Sequence, residues 1–356
     1  MKAWEKNIRQ VVPYVPGEQP NKSNMVKLNT NENPYPPAPG VEALAQQFEA
    51  GTLRLYPDPT SKRLVEALAV RYQVAPEQVF VGVGSDDVLA TAFMTFFNGS
   101  LPIVFPDITY SFYDVWADLF KIPYKQMPLD EELKINPRDY DAPNGGVIFP
   151  NPNAPTGIYE SVEMVEDILK HNQDVIVIVD EAYVDFADGC SMQTLLDKYE
   201  NLLIVQTFSK SRSMAGMRIG FAIGSPRLIK AMNDVKYSYN SYTMNAAALH
   251  MGVAAVTDEA YFQEKVGLIC KTREEAKVRL AALGFTFPDS QTNFIFAAPS
   301  KISAKELFEK LRERDIYVRY FNQPRINQYL RITIGTPEEM ERLYEAIAEI
   351  QENVSQ

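Results

Sequence analysis

The 356-residue chain is long enough for two structural units, because single hydrophobic cores stop growing at about 300 residues. Its content of 46% hydrophobic and 23% charged residues is typical of a globular protein and excludes an intrinsically disordered chain. The formal net charge of −11 repels phosphate backbones and anionic lipid surfaces, which argues against nucleic-acid and membrane partners. An anionic small molecule would need a local cluster of cations, so individual arginines are informative.

Cysteine and histidine are too sparse for a disulfide framework or a metal centre. Cys190 and Cys270 are far apart and form no CxxC pattern, so we expect them to be core thiols in a reducing compartment. His171 and His250 fall in helical stretches without a paired ligand motif, so we expect no bound metal. The start of the chain lacks the apolar stretch of a signal peptide. We therefore expect a cytoplasmic protein.

Residues 1–40 are rich in proline, which predicts an extended N-terminal arm that joins the smaller unit. The segments VEALAQQFEAG and SKRLVEALAVRYQV then predict two amphipathic helices. Six short apolar runs follow, separated mostly by helical stretches: VFVGV, PIVFP, GVIFP, VIVIVD, LLIVQTF and RIGFAIG. This alternation predicts a large α/β domain over residues 41–275 with a mostly parallel sheet covered on both faces. The sixth run lies close behind the fifth, so we expect it to be antiparallel.

The chain changes character after residue 245. A long helical region leads into NFIFAA, a helix at 303–314, IYVRYF, YLRITIG and a last helix from 337. This pattern predicts a smaller α/β domain over residues 276–356, with a mostly antiparallel sheet.

Ligands of open parallel sheets bind beyond the carboxyl ends of the strands, so the segments that directly follow the apolar runs are candidates for a site. These segments are GSDD (84–87), DITYSFY (107–113), NPNAPTG (151–157), DEAY (180–183) and SKSRSMAGMR (209–218).

Three residues at these strand ends have the chemistry of a Schiff-base site. Lys210 follows a buried strand among hydroxyl residues, where partial burial and nearby cationic charge favour the neutral, nucleophilic amine. Asp180 ends an aliphatic run, where its carboxylate needs a cationic partner such as a pyridinium nitrogen. Tyr183 is placed to donate to a phenolate oxygen. Taken singly, the three also fit a surface lysine, a helix cap or ion pair, and a packed aromatic residue.

A phosphate site is indicated by a fixed cation, hydroxyls and backbone N–H groups at a predicted helix start. The residues concerned are Gly84, Ser85, Asp86, Thr207, Ser209 and Arg218. Tyr110 could stack on a flat ring, although a single tyrosine in a loop also fits plain packing.

Together these segments resemble the type I fold aminotransferases that depend on pyridoxal phosphate (PLP), and among them the histidinol-phosphate aminotransferase family. The resemblance runs along nearly the whole chain, and its other motifs are PYVPG (13–17), LNTNENPY (28–35), LYPDP (55–59), TFSKSRSMAGMRIG (207–220) and LRITIGT (330–336). It implies a seven-stranded large-domain sheet, a homodimer with shared active sites and ping-pong transfer of an amino group from glutamate to the keto form of histidinol phosphate.

The resemblance also implies a role for each site residue. Lys210 would form the internal aldimine and move the substrate proton, with Asp180 on the pyridine nitrogen, Tyr183 on the phenolate oxygen and Tyr110 against the ring. The cofactor phosphate would be held by Thr207, Ser209, Arg218 and the backbone amides at Ser85 and Asp86, next to Gly84. Tyr56 would reach the phosphate of the neighbouring subunit. Arg319 and Arg331 would bind the anionic group of the substrate, over which Tyr14 and Asn31 would close.

Two positions depart from the family pattern. Ala154 replaces an asparagine that bonds the phenolate oxygen, so Asn153 or a water is expected to substitute. Asp87 replaces the commoner glutamate, which we expect to change only a packing contact. An aromatic amino-acid aminotransferase and a threonine-phosphate decarboxylase of the same fold remain alternatives. A dinucleotide-dependent oxidoreductase is a distant one, because VGVGSDD lacks the third glycine of GxGxxG.

Overall fold

The computed structural model describes residues 2–14 and 17–355, so Val15 and Pro16 of the PYVPG motif lie outside the described residues. The described α-helices are α1 (Pro39–Gln47), α2 (Lys62–Tyr72), α3 (Gly84–Phe96), α4 (Tyr113–Phe120), α5 (Val162–His171), α6 (Pro226–Tyr239), α7 (Ala246–Thr257), α8 (Glu259–Ala282), α9 (Ala304–Glu313) and α10 (Pro337–Ser355). The described strands are β1 (Val26–Lys27), β2 (Val79–Gly82), β3 (Ile103–Pro106), β4 (Tyr124–Met127), β5 (Val147–Pro150), β6 (Val177–Asp180), β7 (Leu202–Thr207), β8 (Gly220–Gly224), β9 (Phe285–Thr286), β10 (Phe294–Pro299), β11 (Ile316–Tyr317), β12 (Arg319–Tyr320) and β13 (Leu330–Thr333).

Seven strands form one large sheet in the order β2-β8-β7-β6-β5-β3-β4. Strand β8 is antiparallel to both of its neighbours, as its short connection predicted, and the pairs among β3, β4, β5, β6 and β7 are parallel. The resemblance implied seven strands, but the apolar runs predicted only six. The seventh is the edge strand β4, whose first three residues are exposed and polar or aromatic.

Both faces of the large sheet are buried. Alternate residues along each strand point to opposite sides of the sheet, and each side packs in its own hydrophobic core. In β6, Val177 and Val179 pack in a core that includes residues of α5, whereas Ile178 packs in a second core with residues of α3 and α4. All three are fully buried. The sheet is therefore a rigid platform whose strand ends can hold a site.

The smaller unit contains the antiparallel sheet β12-β13-β10-β9, together with α9 and α10. The N-terminal segment packs on this unit, since β1 pairs in parallel with β11 and Val26 and Leu28 belong to the same core. The long helical region that the sequence predicted is divided at Asp258, which caps α8 through the N–H of Tyr261. The proposed boundary at residue 275 falls within α8, and Phe262 already packs in the core of the smaller unit.

Two surface properties bear on the predictions. Both cysteines are unpaired, but Cys190 is exposed and only Cys270 is partly buried, so the prediction of two core thiols is wrong for Cys190. Cys190 follows two exposed residues, Asp188 and Gly189, in a segment without the regular spacing of apolar residues that would show which side chains are buried. Within the described ranges, the helices are all too short or too polar to cross a membrane.

Candidate active site

A cavity of about 170 Å³ lies at the carboxyl ends of the large-sheet strands. It brings together most of the predicted cofactor residues: Ser85, Asp86, Tyr110, Asp180, Tyr183, Thr207, Ser209, Lys210 and Arg218. Strands β6 and β7 end at Asp180 and Thr207, and α3 begins at Gly84, so regular elements fix the backbone on several sides. The convergence of strand ends that the sequence predicted is therefore present.

The N-terminal segment holds Lys210 against the cavity. The Lys210 Nζ donates to the backbone carbonyl of Thr30 at 3.2 Å and lies 5.9 Å from the centroid of the Tyr183 ring. The side-chain amide of Asn33 donates to the carbonyl of Lys210 at 3.0 Å. Glu32 lines the same cavity. Burial acts to raise the pKa of its carboxyl, but hydrogen bonds from Lys27 and Thr30 lower it below its usual value, and the positive charge of Lys210 adds a smaller contribution in that direction.

Asp180 is a buried carboxylate that contacts no cation in the described part of the chain. Its side chain is 4% exposed, and it accepts hydrogen bonds from the Tyr113 hydroxyl at 3.0 Å and from the N–H of Ala182 at 3.2 Å. Burial raises the pKa of Asp180 to about 6, although both hydrogen bonds act in the opposite direction. Such a group is stabilised by a cationic partner. A protonated pyridine nitrogen in the cavity fits this requirement.

The start of α3 and the loop after β7 form a cradle that fits a phosphate. The hydroxyls of Thr207 and Ser209 are 3.0 Å apart, and Arg218 Nη1 donates to the Ser209 hydroxyl at 3.3 Å. Gly84 has a φ of +82°, and a Cβ there would lie 2.5 Å from Arg218 Nη2. Hydroxyls, a guanidinium and a helix N-terminus together are the usual composition of a phosphate site.

The side chain of Asp86 has a function that the sequence did not predict. Its carboxylate accepts from the Tyr110 hydroxyl at 2.6 Å and from Arg218 Nη2 at 3.2 Å. The sequence assigned only the backbone amide of Asp86 to the phosphate. The structure adds a link that orients both the arginine of the cradle and the aromatic ring beside it.

A larger cleft of about 780 Å³ adjoins this cavity, and Tyr110 and Ala154 line both. Tyr14, Arg319 and Arg331 lie together on its wall, as the resemblance implied. Arg331 donates to the carbonyl of Asn29 at 3.0 Å, but its buried Nε has no partner. Burial lowers the pKa of the Arg331 guanidinium, and the positive charge of Arg319 acts in the same direction.

Neither guanidinium is paired with a carboxylate among the residues that the structure describes. Two unpaired guanidiniums that face one cleft would attract an anion strongly. By contrast, Arg325 in the same cleft is neutralised by Asp107 at 2.7 Å. The arrangement therefore provides one specific place for an anionic group.

Besides Gly84, whose place at the start of α3 is described above, three predicted site residues line neither cavity. Tyr56 is 82% exposed and packs against Tyr242, with ring centroids 4.7 Å apart. Asn31 is buried, and its amide nitrogen donates to the Tyr183 hydroxyl at 2.8 Å. The amide nitrogen of Asn153 donates to the Ile108 carbonyl at 3.0 Å and also to the Thr156 hydroxyl. Asn153 is thus not brought to the cavity in place of the missing asparagine, because its turn uses both of its donor hydrogens.

The sequence reasoning missed Tyr113 and the arm residues Thr30 and Glu32. Tyr113 is the first residue of α4 and follows Tyr110 by three positions, but in the sequence it looks like an ordinary core aromatic. Thr30 and Glu32 belong to the LNTNENPY motif, from which the sequence analysis assigned a role only to Asn31. In the folded chain both residues line the cavity, and the carbonyl of Thr30 accepts from Lys210.

Comparison with known proteins identifies the class. The family model for aminotransferase class I and II matches residues 23–347, and the chain belongs to this family. The large mixed sheet with a smaller α/β unit is the type I fold of PLP-dependent transferases. The chain is therefore an aminotransferase, which confirms that interpretation over the oxidoreductase alternative.

The relatives define the group more narrowly. A histidinol-phosphate aminotransferase 2 of Dechloromonas aromatica is 50% identical over 351 residues, which cover 98% of each protein. A putative histidinol-phosphate aminotransferase of Erwinia carotovora atroseptica has a similar crystal structure, with a TM-score of 0.86, 23% identity and coverage of 95% of this chain and 99% of that one. A Sinorhizobium meliloti histidinol-phosphate aminotransferase, solved in complex with pyridoxal-5'-phosphate, gives a TM-score of 0.84 at 24% identity, with 92% and 91% coverage.

Proposed function

We propose that the protein is a PLP-dependent histidinol-phosphate aminotransferase of histidine biosynthesis, which exchanges an amino group between glutamate and a phosphorylated imidazole substrate. The observation that carries the proposal is the unneutralised Asp180 carboxylate in the same cavity as the Lys210 amine, next to a phosphate cradle. The 50% identical relative of that name supports the choice of substrate over an aromatic amino acid or threonine phosphate.

In this proposal the Lys210 amine would hold PLP, and Asp180 would pair with its pyridine nitrogen. When bound, PLP supplies an electron sink for the carbanion chemistry. Tyr183 and Tyr110 line the cavity, where Tyr183 would donate to the phenolate oxygen and Tyr110 would lie against the ring. The phosphate would be held by the cradle of Gly84, Ser85, Asp86, Thr207, Ser209 and Arg218. The PLP complex of the structurally similar Sinorhizobium protein supports this choice of cofactor.

Lys210 would also move the proton that the reaction removes from the substrate Cα. The Lys210 amine would act as the base that takes the proton from the substrate Cα and holds it close to the reacting atoms. The carbonyl of Thr30, which accepts from Nζ at 3.2 Å, keeps the amine at the cavity. Because donor and acceptor use the same site in turn, ping-pong kinetics follow.

The substrate would occupy the adjoining cleft, with its phosphate ester on Arg319 and Arg331 and with Tyr14 closing over it. Support comes from the common cleft wall of these three residues and from the stacking of Tyr14 on Phe112 at 4.3 Å. The two arginines would also bind a carboxylate of glutamate when the donor is present. Asn31 would act from behind Tyr183, since its side chain lies outside the cleft wall.

We infer a homodimer in which Tyr56 reaches the phosphate site of the partner subunit. A monomer would expose several large apolar side chains that are near Tyr56 or its ring partner Tyr242 in the chain, which is unusual for an isolated surface. These residues are Leu53, Leu55, Tyr56, Tyr239 and Tyr242, which we call the Tyr56 patch; their exposures are 64%, 58%, 82%, 71% and 45%. Cytoplasmic localisation is part of the same proposal and agrees with two unpaired cysteines.

The substrate assignment is tested by turnover of the purified protein with 2-oxoglutarate. We expect histidinol phosphate to be used with the highest kcat/KM, phenylalanine far less well and threonine phosphate without release of CO₂. No amino transfer from histidinol phosphate by the PLP-loaded protein would contradict the assignment. Decarboxylation of threonine phosphate would replace it with the decarboxylase alternative.

A further inference from the structure

The hydroxyl of Tyr183 has a single hydrogen, and its surroundings decide where that hydrogen points. The Tyr183 oxygen accepts a hydrogen bond from the Asn31 amide nitrogen at 2.8 Å. An amide NH₂ group cannot accept a hydrogen bond in return. The tyrosine hydrogen is therefore directed away from Asn31, and Tyr183 lines the cofactor cavity.

This arrangement requires the Asn31 amide to present its nitrogen, not its oxygen, to Tyr183. Thr333, at the end of β13, selects that orientation. Its hydroxyl oxygen accepts from the backbone N–H of Asn31 at 3.0 Å, and its own hydrogen is donated to Asn31 Oδ1 at 3.1 Å. With the amide reversed, Oδ1 would face Tyr183 and would draw the tyrosine hydrogen out of the cavity.

The backbone around Asn31 is held as firmly as its side chain. Its carbonyl accepts from the side-chain amide of Asn293 at 3.0 Å, and its φ of +56° lies in the left-handed region, which asparagine tolerates better than most residues. Asn31 and Thr333 are buried, at 1% and 2% exposure, so water does not compete for these bonds. The network is therefore a fixed part of the folded site.

We propose that Thr333 is a positioning residue which, through Asn31, directs the hydroxyl hydrogen of Tyr183 to the phenolate oxygen of the cofactor. The inference rests on the proposed function, since it needs PLP in this cavity. Ala154 lines the same cavity and has no side-chain donor, which leaves this task to Tyr183. Thr333 also lies two residues after Arg331 on β13, so one strand supports both the anion site and the cofactor.

The pH titration of the visible absorbance of the PLP-loaded protein tests this proposal. A donor to the phenolate oxygen competes with the proton that this oxygen shares with the Schiff-base nitrogen, so weakening the donor raises the titration midpoint. We expect Thr333→Val to raise the midpoint by about half a pH unit, in line with the loss of one net hydrogen bond. Thr333→Ser keeps the hydroxyl and should titrate like the wild type.

A double-mutant cycle with Tyr183→Phe shows whether the effect passes through Tyr183. Thr333→Val should produce no further shift in the Tyr183→Phe background. An unchanged midpoint in Thr333→Val, or a shift that persists without the Tyr183 hydroxyl, would overturn the proposal. Thr333→Ala gives the same readout if the valine variant does not fold. A wild-type protein that acquires no chromophore with PLP would instead contradict the proposed function itself.

Discussion

The buried carboxylate of Asp180 is expected to destabilise the protein when PLP is absent. Burial raises its pKa from 3.8 to about 6, so the folded, cofactor-free protein binds this proton more tightly than the unfolded chain does. The free energy of unfolding therefore falls as the pH rises from about 4 through about 6, and above that the penalty stays constant at roughly 3 kcal/mol. The same charge becomes favourable when a pyridinium nitrogen pairs with it.

We therefore predict opposite effects of Asp180→Asn in the two forms of the protein. At pH 8 the cofactor-free variant should have a higher Tm than the cofactor-free wild type, and the difference should shrink towards pH 4. With PLP bound, the wild type should be the more stable protein and the variant should lose about 100-fold or more in kcat.

Differential scanning calorimetry of both forms measures these effects. Burial raises the pKa of neighbouring Glu181 to about 7 in the same way, but this residue is present in both proteins and cancels in the comparison. A cofactor-free wild type that is more stable than Asp180→Asn at pH 8 would contradict the account of Asp180.

The positions of single site residues could be predicted where the residue lies at the end of a predicted strand. Asp180 and Lys210 directly follow apolar runs, and parallel strands bring such positions to one edge. The contacts of Asn31 and Tyr113 were not predictable, because they join segments distant in sequence: Asn31 to Tyr183, and Tyr113 to Asp180. Nothing in the local pattern around an asparagine or a core tyrosine specifies such a partner.

At the scale of elements, the pairing of β12 with β13 creates the anion site. Arg319 and Arg331 are directly paired across the two antiparallel strands, so their side chains fall on the same face. The register of this pair determines the separation of the two charges. A single arginine in an apolar strand, which is all the sequence displays, does not reveal it.

We predict that Arg331→Gln raises the KM for histidinol phosphate by about 10- to 100-fold, the value of a charge-assisted hydrogen bond, with a smaller change in kcat. Arg319→Gln should act in the same direction. Arg325→Gln is the matched control, since this residue lies in the same cleft but is already paired with Asp107. Steady-state kinetics give the comparison, and an equal rise in KM for the Arg325 variant would argue against a specific anion site.

Elements were predictable where a pattern was regular. The apolar runs predicted six strands of the large sheet, because strands buried on both faces are nearly continuous in hydrophobic residues. Edge strand β4 carries Tyr124, Lys125 and Gln126 on exposed positions, so it lacks that pattern. The break between α7 and α8 depends on Asp258 acting as a cap within a continuous helical composition, which periodicity alone does not detect.

At the scale of the whole molecule, shared active sites make a prediction about mixed dimers. Tyr56→Ala would damage the partner subunit's site, whereas Lys210→Ala would damage the site of its own subunit. A hybrid of the two variants would combine both lesions in one site and leave the other intact. Random mixing of the two inactive proteins should therefore restore about a quarter of the sites.

The activity of the mixture after dissociation and reassociation measures this effect, with each variant alone as the control. Analytical ultracentrifugation should give a mass of two 40.3-kDa chains, and Leu55→Asp in the Tyr56 patch should shift it towards one. No recovery of activity in the mixture would place Tyr56 in the site of its own subunit and contradict the shared arrangement.

The most direct test of the account is to locate the covalent link between protein and cofactor. The purified, PLP-loaded protein is reduced with borohydride and digested, and the modified peptide is identified by mass spectrometry. We predict a pyridoxyl group on Lys210 and none on Lys236, a buried lysine outside the cavity whose pKa is lowered by burial. Modification of Lys236 or of any lysine other than Lys210, or no modification at all, would contradict the account.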